Sequence, residues 1–280
     1  MKNNEYTVIL TVYGRQENFL NQIKSLHSQI IPPKEIIVFI DKHPSKSSLE
    51  ILKYCKENNI QSVSVTKNVG VWGRFSTALL SKYDNIFILD DDIVPGKRWF
   101  ENCIEILNSK KSVVGGVGVC FNPNTSDYNV NYRIGWVNPK LDKIHADVIG
   151  HCWGAKREFF EKFWVNTNNH HESSKSGEDI HFSWLAQKYN YEVIVPFHGE
   201  NIDNWSNIKG VVIGTNDEAL SLDPSAILRM SKNLKSVRKK GFSYLLEDKN
   251  QKSKIKIRIN RGYSHFIKAW ILNILKKSKN

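Results

Sequence analysis

The chain has 280 residues, 40% of them hydrophobic and 24% charged, with a formal charge of +12. That length suits one large domain or two modest ones. No apolar run approaches the ~20 residues that span a bilayer, the opening MKNNEYTVILTVYG predicts no signal peptide, and Cys55, Cys103, Cys120 and Cys152 form neither a C-x-x-C pair nor a tight cluster with histidine, which argues against a zinc site and a disulfide framework.

The elements alternate along the first half. Tyr6 to Gly14, YTVILTVYG, is a β-branched apolar run closed by glycine, and it predicts a strand. Phe19, Ile23, Leu26 and Ile30 recur at helical spacing until Pro32 and Pro33 stop them. Glu35 to Asp41, EIIVFID, is a second strand. Leu49, Leu52 and Tyr54 sit in a second helix, and Gln61 to Thr66 is a third strand. RFSTALLSKY from Arg74 predicts a helix, and NIFILD from Asn85 a fourth strand. GGVG at Gly115 to Gly118 lies inside a strand-like run and marks close backbone packing. Apolar strands alternating with amphipathic helices predict an α/β fold with a parallel sheet covered on both faces. Ligands of such sheets bind beyond the carboxyl ends of the strands. Tyr13, Asp41, Asn68 and Asp90 all fall there.

The fourth strand runs into Asp90, Asp91 and Asp92, followed by Ile93-Val94-Pro95-Gly96. Crowded carboxylates raise one another's pKa values and repel. A divalent cation, Mg²⁺ or Mn²⁺, relieves this with one or two carboxylates, water and phosphate oxygens. A solvated acidic turn before Pro-Gly is the other reading. A P-loop is excluded, because no G-x-x-x-x-G-K-[ST] follows the first strand.

The charge is uneven. From Arg229 to Asn280 there are sixteen Lys and Arg against Glu247 and Asp248, a net of +14, whereas the preceding 228 residues carry 24 bases and 26 acids. Residues 1–228 are expected to form the main domain, with halves at 1–95 and 96–228. Residues 229–280 form a basic helical extension. Tyr263, Phe266, Ile267, Trp270, Ile271 and Ile274 make a helical stripe flanked by Lys and Arg, a pattern suited to an anionic membrane surface. Docking on the domain or on a second subunit is the alternative. Nucleic acid is not expected, since no recognition fold accompanies the charge.

Together, the segments YTVILTVYGR, EIIVFID, NVGVWGRFSTALL, NIFILDDDIVPG and GEDIHFSWLAQK resemble a nucleotide-sugar glycosyltransferase of the GT-A fold, most of all family 2 of bacterial surface-polysaccharide pathways. GRF followed by LDDD also resembles the exostosin-like transferases. The resemblance covers about Tyr6 to Ser206. It implies a mostly parallel GT-A sheet flanked by helices, and a UDP-sugar donor. It places Thr11, Tyr13 and Arg15 at the base and ribose, Asp41 at uracil or ribose, and Asn68 and Arg74 beside ribose and diphosphate. Asp90 to Asp92 match the D-x-D element, with Asp90 and Asp91 toward the donor and Asp92, with Asp90, on the metal. His198 falls where many such enzymes hold a third metal ligand.

The same resemblance makes Asp179 the base that deprotonates the acceptor hydroxyl, with Glu178 as its partner. Ser176 three residues before Asp179 is also a capping pattern, and the helix dipole would keep Asp179 ionised. Gly150 and Gly154 are expected to let substrate approach, and Trp153 to stack on a sugar ring. His170 and His171 lie in a polar loop suited to a lid. The acceptor implied is a hydroxyl of a glycan or lipid-linked glycan, and an inverting single displacement follows from Asp179 as base, with a retaining route as the exostosin-like alternative. A non-catalytic membrane or nucleic-acid binder on the same fold is the rival reading. The expected location is the cytoplasm, peripheral on the inner face of the plasma membrane.

Overall fold

The computed structural model describes residues 4–43, 46–135, 142–165, 176–208, 225–248 and 250. Strands β1 (Tyr6–Val12), β2 (Glu35–Ile40), β3 (Gln61–Ser64) and β4 (Asn85–Leu89) pair in parallel in the order β3-β2-β1-β4. Every residue of β1 and β4 is buried. Alternate residues of β1 serve opposite faces, as the period of 2 requires. Tyr6, Val8, Leu10 and Val12 join the core under helices α1 (Phe19–His27) and α4 (Trp99–Ser109). Ile9 joins the aromatic core built with α5 (Arg157–Val165) and α6 (Glu178–Lys188). Helix α2 (Leu49–Glu57) links β2 to β3.

Two predicted helices are shorter than their patterns. Ile30 lies beyond the end of α1 and is 54% exposed. From Arg74 the chain forms only α3 (Gly73–Ser76) and a 3-10 turn over Thr77–Leu80. Ser76 Oγ donates to Gly73 O at 2.7 Å and Ser81 Oγ to Tyr83 O at 2.9 Å, local bonds that compete with a continuing helix.

Beyond β4 the sheet changes direction. β8 (Val148–Lys156) inserts antiparallel between β4 and β5 (Ser112–Phe121). β5 also pairs antiparallel with β6 (Val130–Ile134) and parallel with β9 (Glu192–Val195), and β7 (Ile144–His145) closes the edge on β9. The sheet is therefore mixed where the sequence suggested mostly parallel pairing. Apolar runs mark buried strands without marking which neighbour they meet. The two expected halves of the main domain share this one sheet.

Helix α7 (Ala226–Lys239) crosses the boundary drawn at 228. Leu234 and Val237 enter the aromatic core, followed by Phe242, Tyr244 and Leu246. The first part of the basic segment thus belongs to the domain. Asp147 staples it there: Oδ1 accepts from Leu245 N and Oδ2 from Phe121 N, both at 2.7 Å. Burial raises the Asp147 carboxyl to about 7, against those two amides. The folded state then holds a proton that the unfolded chain releases near pH 4. This contribution is full below the unfolded value and is lost as pH rises towards 7, at about 1.4 kcal/mol per unit. Urea unfolding of Asp147→Asn from pH 4.5 to 7 should show a slope shallower than wild type by about one proton. Equal slopes would assign the titration elsewhere.

Among the described residues no helix is long and apolar enough to cross a membrane. The stripe expected from Tyr263 to Ile274 and the loop with His170 and His171 lie outside the described residues.

Candidate active site

The carboxyl ends of β1, β2 and β4 gather two groups of side chains. The first is a rim. The Tyr13 hydroxyl accepts from Asn68 Nδ2 at 3.0 Å, and the Tyr13 ring lies 4.8 Å from that of His43. Asp41 Oδ1 accepts from Lys42 N at 2.8 Å and Val69 N at 3.0 Å. Burial pushes the Asp41 carboxyl upward, and these amides oppose it. Asp41, Lys42, Lys46 and Ser48 line a cavity of about 480 Å³, within the size range of small-ligand pockets. Thr11 is buried nearby in β1, and its Oγ1 has no hydrogen-bond partner.

The second group is a crowd of charge. Asp91 faces the first loop. Its Oδ2 accepts from Gly14 N at 2.9 Å and Arg15 N at 3.0 Å, and its Oδ1 from the Arg15 guanidinium at 2.8 Å. Asp91 and Arg15, both expected on the donor, hold the first loop against the aspartate turn. Arg74 is 7% exposed and pairs with Asp90 on one side and with Glu178 Oε1 at 2.8 Å on the other. It joins the aspartate turn to the start of α6, whose Glu178 lies 104 residues after Arg74. Burial raises Asp90, Arg74 opposes it, and Asp92 and Asp91 add to it. Asp92 differs from its neighbours. Its Oδ1 is shut off from solvent with no hydrogen-bond partner, and its nearest cation is Arg15 at 3.9 Å.

Helix α6 begins at Glu178 behind Gly177, whose φ of +99° needs glycine. No side chain caps it, so the expected Ser176 cap does not form. Asp179 Oδ1 is buried without a partner. Burial, then the Glu178 and Asp90 carboxylates, hold Asp179 well above the usual carboxylate range, with Arg74 and the Trp153 indole opposing. This reverses the expectation that the helix dipole keeps it ionised: desolvation and like charge outweigh the dipole.

The three residues expected to meet substrate on β8 divide. A Cβ on Gly150 would stand 3.1 Å from Asp179 Oδ2, so this glycine makes room for the carboxylate. Gly154 is a packing position, since a Cβ there would lie 2.4 Å from the Phe87 ring. Trp153 is 1% exposed and lies under the Arg74 guanidinium, 4.6 Å from ring to cation. It is a platform for Arg74 instead of a surface for a sugar.

His198 is not brought to the aspartates. It is 1% exposed and packs on Trp99 at 4.9 Å. Its Nδ1 lies 2.9 Å from Pro196 O, and its Nε2 lies 3.1 Å from Ser206 Oγ and accepts from Ser206 N at 3.3 Å. The histidine that the aspartates do meet is His151, which no sequence pattern marked. β8 carries one extra residue between Gly150 and Trp153, and His151 takes a left-handed φ of +67° there. Its carbonyl accepts from Asp90 N at 3.2 Å, and Asp92 is its nearest charged neighbour by effect. Such bulges re-aim side chains beside functional sites.

Among the described residues no three His, Cys, Asp or Glu converge as a closed metal cage. An open site of one or two carboxylates is the Mg²⁺ or Mn²⁺ pattern when substrate phosphates supply further oxygens. The orphaned Asp92 oxygen, with Asp90 beside it, fits that donor set.

A family model described as "Glycosyl transferase family 2" matches residues 7–164. No curated protein gives a significant match. Among solved structures, GalNAc-T7 with UDP, GalNAc and Mn²⁺ shares the fold with a TM-score of 0.54 at 14% identity, over 72% of this chain and 45% of that one. S. aureus TarS aligns with a TM-score of 0.49 at 15% identity, over 70% of this chain and 35% of TarS, and its 1–349 fragment over 68% and 57%. The chain therefore spans well under two thirds of each neighbour. The family match covers more than half of the sequence and includes β1, the aspartate turn and β8. With a nucleotide-sugar-type α/β sheet and its acidic crevice in place, this protein is a glycosyltransferase of GT-A fold and belongs to glycosyl transferase family 2.

Proposed function

We propose that the enzyme moves a sugar from a nucleotide-diphosphate donor, a UDP-sugar by resemblance, to a hydroxyl of a glycan or lipid-linked glycan, with a divalent cation and inversion at the anomeric carbon. The observation that carries this reading is the pair of buried, unpartnered carboxylate oxygens, Asp92 Oδ1 and Asp179 Oδ1, in one crevice bridged by Arg74. Asp92 and Asp90 would hold the cation, which would supply positive charge to the leaving diphosphate. Arg74, already charged and oriented by Trp153, lies where it can stabilise the same developing charge. Asp179 takes the acceptor's proton as the acceptor oxygen bonds to the anomeric carbon and the nucleotide diphosphate leaves. The rim of Tyr13, Asn68 and Asp41, beside its cavity, suits the base and ribose. The +14 charge of residues 229–280 favours an acceptor held at an anionic surface.

Release of UDP from a panel of UDP-sugars, measured with and without excess chelator, tests the reading. Activity should vanish in chelator and return with Mn²⁺ or Mg²⁺. Full turnover in excess chelator would remove the cation from the mechanism.

A further inference from the structure

Helix α1 carries two stripes. Phe19, Ile23 and Leu26 face the core. On and just beyond the helix, Asn18, Gln22, Ser25 and Gln29 recur at i, i+4, i+7 and i+11, and these polar residues are buried as well, at 3%, 1%, 7% and 4% exposure. Each donates to a carbonyl of the segment that begins with the aspartates. Asn18 Nδ2 donates to Asp91 O at 2.9 Å. Gln22 Nε2 donates to Asp90 O at 2.8 Å and to Ile93 O at 2.9 Å. Ser25 Oγ donates to Pro95 O at 2.5 Å, and Gln29 Nε2 to Gly96 O at 3.0 Å. The main chain adds a last rung, Ile30 N to Lys97 O at 2.9 Å. The rungs ascend in step along helix and loop.

Residues 90–97 have no strand neighbour to satisfy these carbonyls, and a buried carbonyl without a donor costs about 1–3 kcal/mol. The ladder answers that demand, and its widest rung has a further consequence. Gln22 grips Asp90 O and Ile93 O, the two ends of the turn that carries Asp91 and Asp92. That turn is closed by a single main-chain bond, Ile93 N to Asp90 O at 3.1 Å.

We propose that the α1 ladder, and Gln22 in particular, is a positioning device for the aspartate turn that sets where the Asp92 carboxylate stands for the cation and diphosphate. Gln22 acts through the main chain and touches no substrate. The proposal rests on the reading of the turn as the cation and diphosphate site.

The test uses the full chain and three proteins: wild type, Gln22→Met and Gln187→Met. Methionine keeps the volume of glutamine and removes its donors. Gln187 is the control, since it also makes two main-chain bonds, with Ser243 O at 2.9 Å and Ser243 N at 2.8 Å, at the opposite end of α6 from Glu178. Free Mn²⁺ is followed by electron paramagnetic resonance during titration with UDP present, and amide exchange of residues 88–98 is followed by mass spectrometry. Gln22→Met should bind Mn²⁺ with UDP roughly tenfold more weakly, the usual scale for groups that orient ligands from behind. Its 90–96 amides should exchange faster while α1 stays protected. Gln187→Met should match wild type in both readouts.

Wild-type Mn²⁺ binding in Gln22→Met with unchanged exchange would overturn the proposal, as would equal losses in both variants. If wild type itself binds no Mn²⁺ with UDP, the donor-site reading fails. Exchange then decides the ladder, and unchanged protection of 90–96 in Gln22→Met sinks it. If Gln22→Met does not fold, Asn18→Ser, which removes the rung on Asp91 O and a 3.3 Å bond from Asn21 Nδ2, is judged by the same criteria. Failure of both to fold would make the ladder core structure and overturn the positioning role.

Discussion

Asp92→Asn should cost the enzyme about 10²–10³ in turnover, the scale for removing one preorganised electrostatic partner of the transition state, while leaving the fold intact or slightly more stable. The two halves of that expectation come from the same geometry. Asp92 Oδ1 has no hydrogen-bond partner to lose, and Oδ2 lies 3.9 Å from Arg15. The Asp92 carbonyl accepts from Asn207 Nδ2 at 3.0 Å, a bond that survives the substitution. Replacing a carboxylate by an amide also removes one of the charges that raise Asp90. Asp91→Asn should do the opposite. Asp91 receives three hydrogen bonds from Gly14 and Arg15, so an amide there breaks at least one and should lower the melting temperature. Thermal unfolding of the two variants, with steady-state rates at saturating Mn²⁺, separates a ligand from a clamp. A drop in Asp92→Asn stability as large as that of Asp91→Asn would place Asp92 in the scaffold.

Asp179→Asn should slow transfer by about 10²–10⁴, the range for general-base help, with little change in donor affinity. Asp179 Oδ1 is unpartnered, and the bond from Ser183 Oγ runs to the Asp179 carbonyl at 2.8 Å. The helix therefore loses nothing by the change. A pH profile adds a readout that a cap would not move. Because burial and two neighbouring carboxylates raise Asp179, the acid limb of kcat/KM, which reports the free enzyme, should lie above the ordinary carboxylate range. It should disappear in Asp179→Asn. Wild-type turnover in the variant, or an unchanged acid limb, would move the base to another residue.

The sequence by itself determined the first four strands and the delivery of aspartates to one sheet end. An apolar run of β-branched residues closed by Gly or Asp has few other uses, and period-2 alternation is a local property that one element displays alone. It likewise brought out the acidic start of α6, because Glu178 and Asp179 stand directly before an apolar stretch. What it could not contain was the division of labour inside the cluster. Asp90, Asp91 and Asp92 are indistinguishable as letters. Only the fold sets Asp91 under Gly14 and Arg15, 77 and 76 residues away, and leaves Asp92 Oδ1 without a hydrogen-bond partner.

The polar stripe of α1 has the spacing of a solvated helix face and becomes a buried ladder only because the loop after β4 lies across it. Trp153 and His198 suit ligand roles by residue type, yet their neighbours commit one to Arg74 and the other to Ser206 and Trp99. The charge state of Asp179 shows the same limit most clearly. The helix dipole is visible in the sequence, whereas desolvation and like-charge repulsion sum over residues from β4, β8 and α6 that meet only in three dimensions. That sum outweighs the dipole and raises the Asp179 carboxyl.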